Sequence, residues 1–226
     1  MSKWRGGGFD GAMARDDVWQ LTRAFELKRV GRLKTAVCIA QGGVCGDDLI
    51  VAGGTSDPAK IDALVAQAQV MHLPDGSTKD IAAPSATPFG TAASATIGDQ
   101  LCIFGGARHD PVNAVANLRD AWAFETRANQ WRALPLLPIA TRGATAVALD
   151  DRRILIAGGY GDDFTDKTFI HDVKTGALTP STPLPMPDCT SLVLCDGHVY
   201  ALGGEPAKKV RTDKCWHIRV EELLKK

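Results

Sequence analysis

Four side chains have types and positions that could do chemistry together: Glu205, Arg211, Tyr160 and Arg108. Glu205 and Arg211 stand at the entrance and exit of one short polar loop, six residues apart. A carboxylate can accept and return a proton, and a guanidinium fork can hold an anion by two parallel hydrogen bonds. The bland alternative is an ordinary surface ion pair, Arg211 with Glu205 or Asp213. The strands flanking that loop must decide between them.

Val199-Tyr200-Ala201-Leu202 is short, apolar and partly β-branched or aromatic, which predicts a buried strand ended by Gly203-Gly204. Lys214 to Val220 predicts a second strand, with Cys215, His217 and Arg219 on one face and Trp216, Ile218 and Val220 on the other. If the two strands pair, the acid and the guanidinium flank one hairpin mouth.

The strand before a glycine pair recurs. Leu49 to Ala52 precedes Gly53-Gly54, Leu101 to Phe104 precedes Gly105-Gly106, and Ile154 to Ala157 precedes Gly158-Gly159. The second glycines are spaced 52, 53 and 45 residues apart. A small-residue strand comes before each one: Thr35 to Ala40, Thr91 to Ile97, Thr145 to Leu149 and Thr190 to Cys195. Asp/Gly turns such as Gly98-Asp99-Gln100 and Asp196-Gly197 join the two. A polar loop and an aromatic-bearing strand follow, as in Ala121-Trp122-Ala123-Phe124.

A period near 50 residues with four strands per unit predicts a β-propeller. The pattern resembles the kelch repeat over essentially the whole chain. The fold expected is all-β, a kelch-type β-propeller of about five blade equivalents. It forms a single domain over residues 1–226, with incomplete first and last blades. Gly7-Gly8 opens the first blade, whose first two strands are expected to be missing. The last ends soon after its third strand. Such a chain closes unusually, is a piece of a longer propeller, or is completed by another chain. Pro58 to Met71 has helical spacing through Ile61, Leu64, Val65 and Ala68, but a long loop leading to a strand near Ala66 to Leu73 is preferred.

In a propeller the loops after the second strands gather on one face. The residues just past each glycine pair, Thr55, Ala107 with Arg108, Tyr160 and Glu205, are therefore expected around one pocket. Arg108, Tyr160, Glu205 and Arg211 form a polar constellation there, in which Arg108 and Tyr160 are candidates for holding a substrate.

Gly204-Glu205 followed by Val210-Arg211-Thr212-Asp213 resembles, within that frame, the N-acetylneuraminate epimerase (sialate mutarotase) family. The resemblance implies an isomerase that interconverts the α and β anomers of a sialic acid. Glu205 would be the proton acceptor and Arg211 would assist. A single carboxylate can shuttle both protons of ring opening if partial burial moves its pKa toward neutrality. An arginine can hold the substrate's own carboxylate. No metal or cofactor is required. The chain is shorter than the six blades that family implies, and it shows no export signal. Galactose oxidase is a poorer likeness, since Tyr160 and Tyr200 are the chain's two tyrosines. The competing reading is a non-enzymatic kelch module that binds a protein partner on the loop face.

Composition sets the remaining bounds. Lys and Arg number 26, as do Asp and Glu, which argues against a nucleic-acid or anionic-membrane surface. No apolar run is long enough for a membrane span, and Met1 to Gly8 lacks the apolar core of a secretory signal. The six cysteines form no C-x-x-C pair and mostly fall in strand-like segments. Buried free thiols are expected. A cytoplasmic location is expected, or a periplasmic or extracellular one if an N-terminal signal is missing. The five histidines show no metal-ligand spacing.

Overall fold

The computed structural model describes residues 3–57, 59–60 and 63–225. Five antiparallel sheets follow one another as blades. Blade 1 is β1 (Lys3–Phe9), β2 (Ala14–Leu21) and β3 (Leu27–Arg32). Blade 2 is β4 (Gln41–Cys45), β5 (Asp48–Ala52), β6 (Ala68–His72) and β7 (Thr78–Ile81). Blade 3 has β8 (Ala93–Ile97) and β9 (Gln100–Phe104). A separate hairpin follows, β10 (Ala107–Asp110) with β11 (Ala114–Asn117). The blade then closes with β12 (Ala121–Glu125) and β13 (Gln130–Ala133). Blade 4 is β14 (Thr145–Ala148), β15 (Arg153–Ala157), β16 (Thr168–Asp172) and β17 (Leu178–Pro180). Blade 5 is β18 (Ser191–Cys195), β19 (His198–Ala207) and β20 (Val210–Arg219), followed by the one-turn helix α1 (Val220–Leu223).

The glycine pairs are explained by how one blade latches to the next. In blades 1 to 4 the second glycine of the pair donates its N–H to a backbone carbonyl at the entry of the following blade. These bonds are Gly8 to Val37 at 2.8 Å, Gly54 to Phe89 at 2.7 Å, Gly106 to Thr141 at 2.8 Å and Gly159 to Asp188 at 2.9 Å. The first glycine lies against the same carbonyl. A β-carbon on Gly53 or Gly105 would sit 2.5 Å from it, and both residues have φ of 65°. A left-handed backbone and a carbonyl in the place of Cβ together leave room for glycine alone.

Four apolar clusters join successive blades. Val18 and Leu33 meet Leu49 and Val51 between blades 1 and 2. Ile50 and Val70 meet Leu101 and Phe124 between blades 2 and 3. Cys102 and Phe104 meet Ile154 and Ile156 between blades 3 and 4. Leu155 and Ile170 meet Val199 and Leu223 between blades 4 and 5. Central strands buried on both faces need continuous apolar runs, and Leu101–Phe104 and Ile154–Ala157 are such runs.

Several expectations need correction. Blade 1 lacks one strand, not two, because β1 runs through Gly6-Gly7-Gly8 and is itself the strand that carries the glycine pair. Side chains crowd that position: a β-carbon on Gly6 would lie 2.9 Å from a Leu49 methyl. Gly203-Gly204 does not end its strand. β19 continues to Ala207 with register shifts on either side of Gly204, because its partner β20 is the very next segment and no long loop intervenes. Pairing on the far side starts at Val210, earlier than Lys214, and Val220 opens α1. The polar loop after Gly106 is partly the β10–β11 hairpin. The strand near Ala66 to Leu73 is β6, Ala68–His72. Pro58 and Ile61 of the alternative helix lie outside the described residues.

All six cysteines are free, but only Cys38, Cys45 and Cys102 are buried. Cys189 is half-buried. Cys195 and Cys215 are exposed, because they lie on the face of blade 5 turned away from blade 4. No helix among the described residues is long and apolar enough to cross a membrane.

Candidate functional site

Three of the four candidate residues gather where blades 4 and 5 meet. Glu205 follows the bulge at Gly204 on β19, and Arg211 lies across the hairpin on β20. Arg211 Nη1 approaches Glu205 Oε2 at 2.7 Å. The hairpin turn supplies a second donor, since the Lys209 amide reaches Glu205 Oε1 at 2.7 Å. Both carboxylate oxygens are therefore engaged. The Lys209 amide first, and the Arg211 guanidinium second, hold Glu205 below the usual carboxylate range. A proton shuttle working near neutrality needs the opposite shift. The Arg211 side chain is 70% exposed.

Tyr160 and Glu205 line one cleft of about 320 Å³, together with Arg142, Phe164, Cys189 and Lys208. Their common placement follows from a repeated contact. In blades 2 to 4 the residue past the glycine pair bridges the segment that enters its own blade's first strand: Thr55 with Cys38, Ala107 with Gly90, Tyr160 with Arg142. In blade 5 the Cys189 amide donates to Glu205 O at 3.2 Å. Thr55 and Ala107 occupy this position too, but both are buried. Thr55 spends its hydroxyl on the carbonyls of Asp57 and Ala63. The expectation of one pocket lined by all of these residues therefore holds for Tyr160 and Glu205 only.

Arg108 is not in this cleft. Ala107 takes the inward position, and the twofold alternation of β10 turns Arg108 outward. It borders a separate small depression beside Asp120 and Trp122.

Arg142 is the arginine that does face Tyr160. Its backbone exchanges two hydrogen bonds with Tyr160, of 2.9 and 2.7 Å. Its guanidinium lies over the tyrosine ring, 4.6 Å from the centroid. Nη1 donates to Asn117 Oδ1 at 2.7 Å, and Asn117 Nδ2 donates in turn to Gly161 O at 2.9 Å. Among the described residues no carboxylate pairs with Arg142. The Phe164 ring meets Tyr160 edge-on, with centroids 5.1 Å apart. Arg142, Tyr160 and Phe164 also border an open depression of about 990 Å³ on their other side. A half-buried arginine held by a ring and an amide, with no acid of its own, can receive an anion.

Cys189 opens into the cleft but is no nucleophile: burial first, with Glu205 second, pushes its thiol up to about 11. Sequence reasoning passed over Arg142. The signal was its place in the repeat, since Cys38, Gly90 and Arg142 each stand just ahead of a first strand.

No protein-family model matches the chain. It is 30% identical over 132 residues to Kelch-like protein 35 of Mus musculus. The match covers 58% of this chain and 21% of that protein. The fold is a kelch-type β-propeller. The chain spans about a fifth of the length of the curated relative it matches. That similarity carries the kelch repeat and the propeller; it does not extend to the sialate epimerase family.

Proposed function

We propose that this kelch propeller is a protein-interaction module whose cleft between blades 4 and 5 receives an acidic segment of a partner. The observation that carries the reading is Arg142, fixed by Tyr160 and Asn117 and, among the described residues, left without a carboxylate. A guanidinium ordered in advance loses less entropy when it captures an anion. Lys208 at the rim adds positive charge, and the Tyr160 and Phe164 rings give an apolar wall. The test is binding of acidic peptides, followed by fluorescence anisotropy, against the same peptides with Gln for Glu. Binding that weakens with salt and disappears in Arg142→Ala supports the module. Equal binding of neutral and acidic peptides removes it.

A second reading keeps the enzyme: exchange of N-acetylneuraminate anomers with Glu205 as proton acceptor and Arg211 assisting. In its favour, Glu205 and Arg211 meet at 2.7 Å and Glu205 shares a cleft with Tyr160. Against it, the Lys209 amide and Arg211 hold Glu205 below the usual carboxylate range, and Arg211 is occupied by Glu205 rather than open to a substrate. Anomer exchange followed by NMR separates the two. Acceleration that is lost in Glu205→Gln supports catalysis; a rate equal to buffer, with folded protein, leaves the module.

A further inference from the structure

The repeat lets the junctions between blades be compared position by position. Three residues before the second glycine stands Ile156 in blade 4 and Ala201 in blade 5. Each pairs across the sheet with an aromatic residue, Ile156 with Phe169 and Ala201 with Trp216. A leucine of the preceding linker completes each set. Leu137 and Leu184 each stand four residues ahead of the carbonyl that latches a glycine pair, and each packs against the first glycine of that pair. Between blades 3 and 4 all three side chains, Leu137, Ile156 and Phe169, are buried. Between blades 4 and 5 Leu184 is only half-buried and Trp216 is 38% exposed. The shared position differs: an alanine methyl stands where the other junction has the branched side chain of isoleucine.

The space left is a cavity of about 250 Å³, walled by Leu155, Leu184, Leu192, Ala201, Trp216 and Leu223. The corresponding space between blades 2 and 3, where Ile103 pairs with Trp122, is about 60 Å³. Polar side chains beside the larger cavity are already engaged. The Thr168 hydroxyl donates to Thr182 O at 2.7 Å, and Arg219 Nε donates to Glu222 Oε1 at 2.7 Å. The His217 ring is turned to the opposite face, stacked on Tyr200. An apolar cavity of about 150 Å³ already admits benzene. This one has room for two fused rings, and walls without a free charge or donor favour a neutral occupant.

We propose that the cavity between blades 4 and 5 binds a small neutral aromatic molecule of about the size of indole. The ligand packs on the Trp216 ring and fills the place of the missing isoleucine branch. Burial of the exposed parts of Trp216 and Leu184, with offset or edge-on ring packing, supplies the attraction. The cavity shares no lining residue with the Arg142 cleft, so the proposal stands or falls apart from the acidic-segment reading.

The test is fluorine NMR of 5-fluoroindole titrated with the full chain, with the protein's amide shifts recorded in parallel. The expected result is a broadened fluorine resonance and shifted amides at Leu184, Leu192, Ala201 and Trp216. Ala201→Ile rebuilds the side chain of the other junctions and should weaken binding about ten-fold or more, because the ligand's place is then filled. Arg142→Ala should leave binding unchanged. If Ala201→Ile does not fold, the amide map of the wild-type chain carries the same test. No broadening at millimolar 5-fluoroindole, amide shifts confined to other junctions, or undiminished binding by folded Ala201→Ile overturns the proposal.

Discussion

The guanidinium of Arg142 lies 4.6 Å above the Tyr160 ring while the backbones of the same two residues exchange both hydrogen bonds. The pair is one rigid unit that joins the entry of blade 4 to the end of its second strand. Tyr160→Leu should leave the backbone bridge and remove the ring. The loss expected is about 0.5–1 kcal/mol in acidic-peptide affinity, the worth of an exposed cation–π contact. Arg142→Lys should lose more, because lysine cannot bond Asn117 and a carboxylate in one plane. Calorimetric titration of both variants checks the order.

The Glu205–Arg211 pair should matter little to folding. Arg211 is largely exposed, and pairs of this kind contribute little to stability. Arg211→Ala is expected to leave the melting temperature within a degree or two of wild type. A large drop would show that the hairpin tip is coupled to the blade.

The glycine latch predicts a contrast between two alanine substitutions. Gly98 has φ of 58°, and no atom lies within 4 Å of where its β-carbon would stand. Gly98→Ala should therefore cost only the left-handed backbone penalty, about 1 kcal/mol. Gly53 has nearly the same φ, but a β-carbon there lies 2.5 Å from Phe89 O. Gly53→Ala should cost clearly more, about 3 kcal/mol or above, through separation of blades 2 and 3. Urea unfolding of the two variants reads the difference.

His171 makes stability depend on pH. Burial against Phe104 holds its imidazole below the ordinary value. The unfolded chain then binds the extra proton more readily, so stability falls as pH drops through about 6.5. His72 has the opposite sign. Its hydrogen bond with Asp48 raises its pKa, so its contribution is present below the unfolded value and is lost as pH rises through the folded one. Melting curves of wild type and His171→Leu between about pH 8 and pH 5.5 isolate the first effect. The variant should show the smaller loss on acidification.

Thiol labelling should follow the blade faces. Cys195 and Cys215 are exposed and should react first in the native protein. Cys45 and Cys102 are pushed up to about 12 by burial and should react only on unfolding. Fast labelling of Cys102 would contradict the packing between blades 3 and 4.

Much of the fold could be read directly because its causes are local. A strand such as Ile154 to Ala157 is apolar throughout because both faces are buried, and Asp196-Gly197 turns with φ of 46° and 72°. The glycine pairs repeat because a carbonyl of the next blade occupies the place of their side chains. The site was legible only in part. Glu205 and Arg211 are close in sequence and share a hairpin, so their pairing followed. Arg108 was misplaced because the hairpin that turns it outward depends on pairing with Val115 and Ala116.

The chain's own order of residues determined the blades and the acid–arginine pair, since these rest on contacts between segments close in sequence, and it showed the period because each blade meets the next through the same glycine pair. Tertiary structure decided which side chains share a cavity. Arg142 and Asn117 lie 25 residues apart, and their bond exists only because one blade's hairpin leans on the next. It also decided the direction in which the proton affinity of Glu205 moves, since that depends on the donors that surround a carboxylate, and those are set by the folded hairpin.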